Sequence, residues 1–158
     1  MGRHYDQTGN YTDWWDNSTV SAFKTRAQCF IDQYSNFTVP NPSDPDKPLH
    51  VNGRFTLGEN IADAGGLRAA FAAWKKREEK EGRSDLLPGL QGFSREKLFF
   101  INYAGWWCEK TRPEAAAQRV FQDPHAPKWA RIRGTMDNSP EFKEAFGCEK
   151  KEPRCELW

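Results

Sequence analysis

A chain of 158 residues fits one domain and can bury a core, although 28% charged residues and a mean hydropathy of −0.88 leave little apolar surplus. Its formal charge of +1 comes from 23 Lys and Arg against 22 Asp and Glu, without the basic block that would neutralise several phosphates in a row, so nucleic acid is excluded as a partner. Nor does any apolar run approach the length needed to span a bilayer, and Met1-Gly-Arg-His-Tyr-Asp6 lacks the apolar stretch of a signal peptide. Seven Trp and eleven Phe carry much of the apolar volume, which predicts an aromatic core.

From about Asp13 to Tyr34, Trp15, Val20, Phe23, Ala27, Phe30 and Ile31 recur at near-helical spacing and predict a first amphipathic helix that contains Cys29. Pro40-Asn-Pro-Ser-Asp-Pro-Asp-Lys-Pro48 then forbids regular structure, because prolines lack the backbone donor and restrict their predecessors; it is expected to be a surface loop. A second helix is expected from Gly58-Glu59 to Glu81, closed by Gly82, with Leu67, Phe71 and Trp74 as its apolar stripe and residues 75–81 in solvent. A third follows Ser94 as N-cap and runs through Trp107 with Leu98, Ile101 and Trp106 facing inward. Pro113 and Pro140 each suit a first helical turn, so short helices are expected at 113–121 and 140–146, the last closed by Gly147. With few strand-like segments, the chain reads as mainly α.

Three sequons, Asn10-Tyr-Thr, Asn17-Ser-Thr and Asn36-Phe-Thr, fall within thirty residues, and four cysteines occur without a Cys-x-x-Cys pair. Both features favour a secretory origin. Set beside the missing leader, they suggest a fragment of a longer protein.

The segment richest in chemistry is Thr56-Leu-Gly-Glu-Asn-Ile-Ala-Asp-Ala-Gly-Gly-Leu67. Glu59 and Asp63 are four residues apart, so on a helix they share one face with a rise of about 6 Å between them. They sit beside small and apolar residues that let another helix approach, where a carboxylate is costly unless a metal, a cation or hydrogen-bond donors meet it. Spacing alone leaves a second account open, with Glu59 favoured by the helix dipole and Asp63 merely exposed.

The run Gly58-Glu-Asn-Ile-Ala-Asp-Ala-Gly-Gly66 resembles the Glu-x-x-x-Asp signature of the neprilysin and endothelin-converting-enzyme family of zinc peptidases. The resemblance continues through Gly2-Arg-His-Tyr-Asp-Gln-Thr-Gly-Asn-Tyr-Thr-Asp-Trp-Trp15, Leu87-Pro-Gly-Leu90, Asn102-Tyr-Ala-Gly-Trp-Trp-Cys108, Asp123-Pro-His125, Arg131-Ile-Arg-Gly-Thr135 and Cys155-Glu-Leu-Trp158. It implies a helical C-terminal subdomain of a thermolysin-like peptidase, residues 1–158 forming the C-terminal portion of the catalytic domain, with little or no sheet.

By the same resemblance, zinc is held in the complete enzyme by two histidines of a His-Glu-x-x-His helix and by the glutamate matching Glu59, and this chain alone is expected to bind it weakly or not at all. Asp63 would orient one of those imidazoles from the second layer. His125 matches the histidine that stabilises the oxyanion, and Arg131 matches an arginine that binds substrate carbonyls. Each residue also has a plainer account, His125 as a surface histidine and Arg131 as a structural ion-pair residue.

This sequence contains only His4, His50 and His125, none in a His-Glu-x-x-His pattern. The family places that motif just before the stretch resembling Gly2-Arg-His-Tyr-Asp6, so the chain is expected to begin immediately after it. The resemblance therefore implies a zinc metalloendopeptidase acting on short peptides in its complete, extracellular form, secreted or an ectodomain, with this chain inactive alone and the missing N-terminal region as partner. The competing account is a non-enzymatic product that binds peptides or a complementary fragment. The resemblance also pairs Cys29 with Cys155 and leaves Cys108 and Cys148 as free thiols here, their family partners lying upstream.

Overall fold

The computed structural model describes residues 2–148 and 155–157. A short 3-10 turn at Gly2–His4 is followed by α1 (Asn17–Ser35), β1 (Thr38–Val39), β2 (Leu49–His50), α2 (Leu57–Glu81), α3 (Arg95–Trp106), α4 (Pro113–Gln122), α5 (Lys128–Asp137) and α6 (Pro140–Phe146). The chain is mainly α, as its sequence predicts, and the antiparallel pair β1–β2 is the one sheet among the described residues. The Pro-rich stretch joins those two strands across mostly exposed turns.

Local chemistry explains the boundaries. Asp16 accepts from the Thr19 amide at 2.7 Å and caps α1, which starts at Asn17, four residues after the expected Asp13. Ser94 accepts from Lys97 at 3.2 Å to cap α3, and Pro113 and Pro140 open α4 and α6. Gly147 closes α6 at φ 65°, left-handed backbone that suits glycine.

Two apolar clusters hold the helices together. One gathers Phe30, Tyr34, Ala130, Cys155 and Leu157 with the inner faces of α1 and α2. The second is aromatic: Leu67, Phe100 and Met136 are surrounded by Phe71, Phe99, Phe142 and Phe146. The expected disulfide is present, with Cys29 and Cys155 α-carbons 5.5 Å apart, and Cys108 and Cys148 are free thiols. Arg26 donates to the Leu157 carbonyl at 2.8 Å and Asn138 accepts from the Cys155 amide at 3.0 Å, so the tail is also hydrogen-bonded back to α1 and α5. Trp158, which ends the terminal motif, lies outside the described residues.

Three expectations need correction. Ile101 and Trp106 do not face inward: they are exposed, while Phe99, Phe100 and Tyr103 supply the packed face of α3. A helix turns about 100° per residue, and the aromatic partners of α3 lie on the side that Phe99, Phe100 and Tyr103 share. Residues 75–81 are not uniformly solvated either. Glu78 is buried, because Lys75 (3.1 Å), Arg83 (3.7 Å) and Arg95 (3.9 Å) surround its carboxylate and offset its desolvation. Finally, α5 was not among the expected helices.

Candidate active site

The site is built where α2 and α5 cross. The first two turns of α2 present Glu59 and Asp63 on one face, as their spacing requires. Against them lies α5, whose Ala130, Gly134 and Thr135 are buried; on its α1 side a β-carbon on Gly134 would overlap the ring and hydroxyl of Tyr34, and on its α2 side it meets the first turns of α2. That approach delivers Arg131 to Asp63. Nε donates to Oδ2 at 2.6 Å and Nη2 to Oδ1 at 2.7 Å, a two-pronged pair whose side chains are about nine-tenths buried. The Trp107 ring covers the guanidinium from another side, 4.0 Å from Cζ. Burial pulls the Arg131 pKa down, but the hydrogen bonds and charge of Asp63 outweigh it and hold the pKa above its ordinary value.

One turn earlier, Glu59 is 43% exposed. Its Oε2 stands 3.2 Å from His125 Nε2 and 4.0 Å from Arg131 Nη2. His125 enters from the segment between α4 and α5 and is fixed by Asp123, which accepts from the His125 amide at 3.0 Å and faces ring Nδ1 at 2.7 Å. Burial raises the Asp123 pKa, yet its two hydrogen bonds from His125 outweigh that and hold the carboxyl below its ordinary range. The other ring nitrogen, Nε2, faces Glu59. Beside His125 and Arg131 opens a cleft of about 560 Å³, lined in part by Trp107, Cys108, Glu109 and Lys128.

The sequence model of peptidase family M13 matches residues 1–156. The chain belongs to that family. An endothelin-converting enzyme homolog of Locusta migratoria is 47% identical over all of this chain, human endothelin-converting enzyme 1 is 43% identical over all of it, and neprilysin-11 of Caenorhabditis elegans is 39% identical. The M13 chain described here covers 21%, 20% and 19% of those three proteins, about a fifth of each. Among solved structures, the Mycobacterium tuberculosis zinc metalloprotease Zmp1 in complex with inhibitor superposes over 98% of this chain and 23% of its own at a TM-score of 0.83 and 32% identity. A Haemonchus galactose-containing glycoprotein complex superposes at 0.84, again at 32% identity, over 99% of this chain and 26% of its own.

Within this M13 chain, all four residues singled out from sequence, Glu59, Asp63, His125 and Arg131, converge on one site. The account in which Asp63 is merely exposed does not hold, since Arg131 covers it. Two contributors were not singled out, although both lie in quoted motifs: Asp123, which orients His125, and Trp107, which packs on Arg131. A carboxylate two residues before a histidine was the available signal for the first; Trp107 had none, because two adjacent tryptophans do not reveal which one faces the site.

The donor set can be tested against zinc. M13 enzymes are zinc metallopeptidases, and a half-exposed carboxylate such as Glu59 fits one position of a tetrahedral shell. Among the described residues no three His, Cys, Asp or Glu side chains converge as a metal-binding group, so Glu59 fits as part of a shell that other ligands complete.

Proposed function

We propose that this chain serves a zinc metalloendopeptidase acting on short peptides, in which residues 1–158 form the C-terminal portion of the catalytic domain and the remaining ligands come from the region upstream. The observation that carries this reading is the cleft that opens beside His125 and Arg131, with Glu59 Oε2 3.2 Å from His125 and with Asp123 and Asp63 holding those two side chains in place.

Glu59 would hold the metal, which when bound supplies an acidified water and polarises the scissile carbonyl. His125, oriented through Nδ1 by Asp123, keeps Nε2 directed at the position where negative charge develops. Arg131, fixed by Asp63 and Trp107, presents its remaining donor edge to peptide carbonyls. Asp63, beyond holding Arg131, would orient an upstream zinc-binding imidazole.

The exposed sequon asparagines Asn10, Asn17 and Asn36 and the Cys29–Cys155 bridge support an extracellular, glycosylated setting, whether secreted or as an ectodomain. No helix among the described residues is long and apolar enough to cross a membrane. The cleft also supports a second reading, in which the chain binds peptides without cleaving them.

Supplying the upstream region of an M13 relative separates the two. The first reading expects chelator-sensitive hydrolysis of a short peptide only in the assembled material, abolished by Glu59→Ala. Peptide binding to the chain alone, with no hydrolysis after assembly, supports the second. Chelator-sensitive hydrolysis by the purified chain alone that Glu59→Ala abolishes would overturn the view that it needs a complement.

A further inference from the structure

Residues 123–127, Asp-Pro-His-Ala-Pro, carry His125 between the end of α4 and the start of α5, and their two prolines leave the backbone few ways to bend. A segment this stiff places its histidine according to where its two ends stand. Both ends meet one carboxylate. Glu109, from the link between α3 and α4, accepts through the same Oε2 from Arg119 in the last turn of α4 at 3.2 Å and from Lys128, the first residue of α5, at 3.1 Å. Arg119 Nη1 also reaches Oε1 at 3.4 Å.

On one flank this grip reaches His125 through Asp123. The Asp123 amide donates to the Arg119 carbonyl at 2.8 Å, and its carboxylate accepts from the His125 amide at 3.0 Å and faces the ring at 2.7 Å. On the other flank the Pro127 carbonyl accepts from the Ala130 and Arg131 amides at 2.8 and 3.0 Å, which ties the segment to the start of α5. Glu109 is the sheltered member of the trio, its side chain 24% exposed against 55% for Arg119 and 40% for Lys128. Burial raises its pKa, but hydrogen bonds led by that of Lys128 outweigh burial and hold the carboxyl below its ordinary range. Ion pairs this exposed add little to global stability. Their positional effect is larger, because without the Glu109 charge two neighbouring cations repel each other and spread the flanks of the segment.

We propose that Glu109 is a positioning residue: by gripping Arg119 and Lys128 at once it closes the segment that bears His125 and so sets where His125 stands, 3.2 Å from Glu59. This role depends on the proposed part of His125 in the peptidase site. Glu109 acts through its neighbours and not on the peptide.

Two amides within the closed segment are hydrogen-bonded, those of Asp123 and His125, and their hydrogen exchange in the full chain reports its closure. In Glu109→Gln, which keeps the shape and removes the charge, exchange at both is expected to quicken about five- to tenfold, while the amides around Leu67 in α2 keep their rates. The His125 ring resonances shift in the same variant, and those of the other two histidines, His4 and His50, stay in place. Raising sodium chloride to about 1 M quickens exchange at Asp123 and His125 in the wild type and quickens it no further in Glu109→Gln, since salt screens the grip only while the anion is present. With the upstream region of an M13 relative supplied, Glu109→Gln lowers kcat at least about tenfold while KM stays within about twofold, the split expected when a group acting in the transition state is displaced. Unchanged exchange and ring resonances in Glu109→Gln, a rise in exchange spread equally over α2, or an unchanged kcat beside a displaced His125 would each overturn the proposal. No hydrolysis by the wild-type assembly, with the His125 response intact, counts against the peptidase reading alone.

Discussion

Asp63 and Glu59 occupy successive turns of α2 and carry the same functional group, yet the protein treats them in opposite ways. Asp63 has 9% of its side chain exposed and both oxygens committed to Arg131, whereas Glu59 is 43% exposed and meets His125 through a single oxygen. The difference comes from α5, which packs on α2 and brings Arg131 over Asp63 while Glu59 stays half-exposed. A buried carboxylate matched by a guanidinium is a fixed structural element, while a half-exposed one keeps lone pairs for an incoming ion.

Breaking the buried end should have the largest effect. Arg131→Ala strands Asp63 without its partner and is expected to cost about 3–5 kcal/mol, read by urea unfolding. A loss below about 1 kcal/mol would show that water or another cation substitutes at Asp63. Removing the bridge with Cys29→Ala and Cys155→Ala comes next, on the order of 4 kcal/mol by loop entropy across a separation of 126 residues. Unmutated oxidised protein should show two free thiols when denatured, and peptide mapping should place the bridge at Cys29–Cys155. Gly134→Ala is expected to cost about 1–3 kcal/mol, since the added methyl must displace the Tyr34 ring.

Tyr34 sharpens the comparison through pH. Burial drives its pKa well above the ordinary 10.0 of a tyrosine. The sign follows from that direction: stability from the protonated phenol is complete below about pH 10 and declines above it, because the unfolded chain ionises first. Thermal melts of the wild type should therefore lose stability from pH 10 upward, and Tyr34→Phe should flatten that decline. The smallest change in stability is expected at the open end, where Glu59→Gln shifts unfolding by no more than about 0.5 kcal/mol. A larger shift would mean that Glu59 is also structural.

Much of this arrangement was legible beforehand, for reasons that differ by element. The boundaries of α3, α4 and α6 follow from Ser94, Pro113, Pro140 and Gly147, residues whose backbone chemistry acts locally. In contrast, α5 gave no signal of its own: Lys-Trp-Ala-Arg-Ile-Arg-Gly-Thr-Met-Asp has no side-chain cap, an internal glycine and scattered apolar residues. It is helical because its small face packs on α1 and α2, a tertiary cause that periodicity does not record. The same holds within the site. That Glu59 and Asp63 share a face could be read from their spacing, but that Arg131 caps one and leaves the other open depends on contacts 68 residues apart along the chain. Glu78 was misjudged in the same way, because its cations Arg83 and Arg95 come from outside α2. The inward face of α3 was misassigned because Ile101 and Trp106 are as apolar as their neighbours, and only the position of the aromatic cluster decides between them.

The Cys29–Cys155 bridge also converts most of the chain into a covalent ring. A protease that cuts once anywhere between these cysteines, for example in the exposed stretch 82–93 between α2 and α3, opens the ring without releasing a piece. Such nicked protein would migrate as a single species on a denaturing gel until reductant is added, and then as two. The bridge therefore sets what a gel reports about the integrity of this chain: intact and singly cut molecules look alike in mass until the sulfurs are parted.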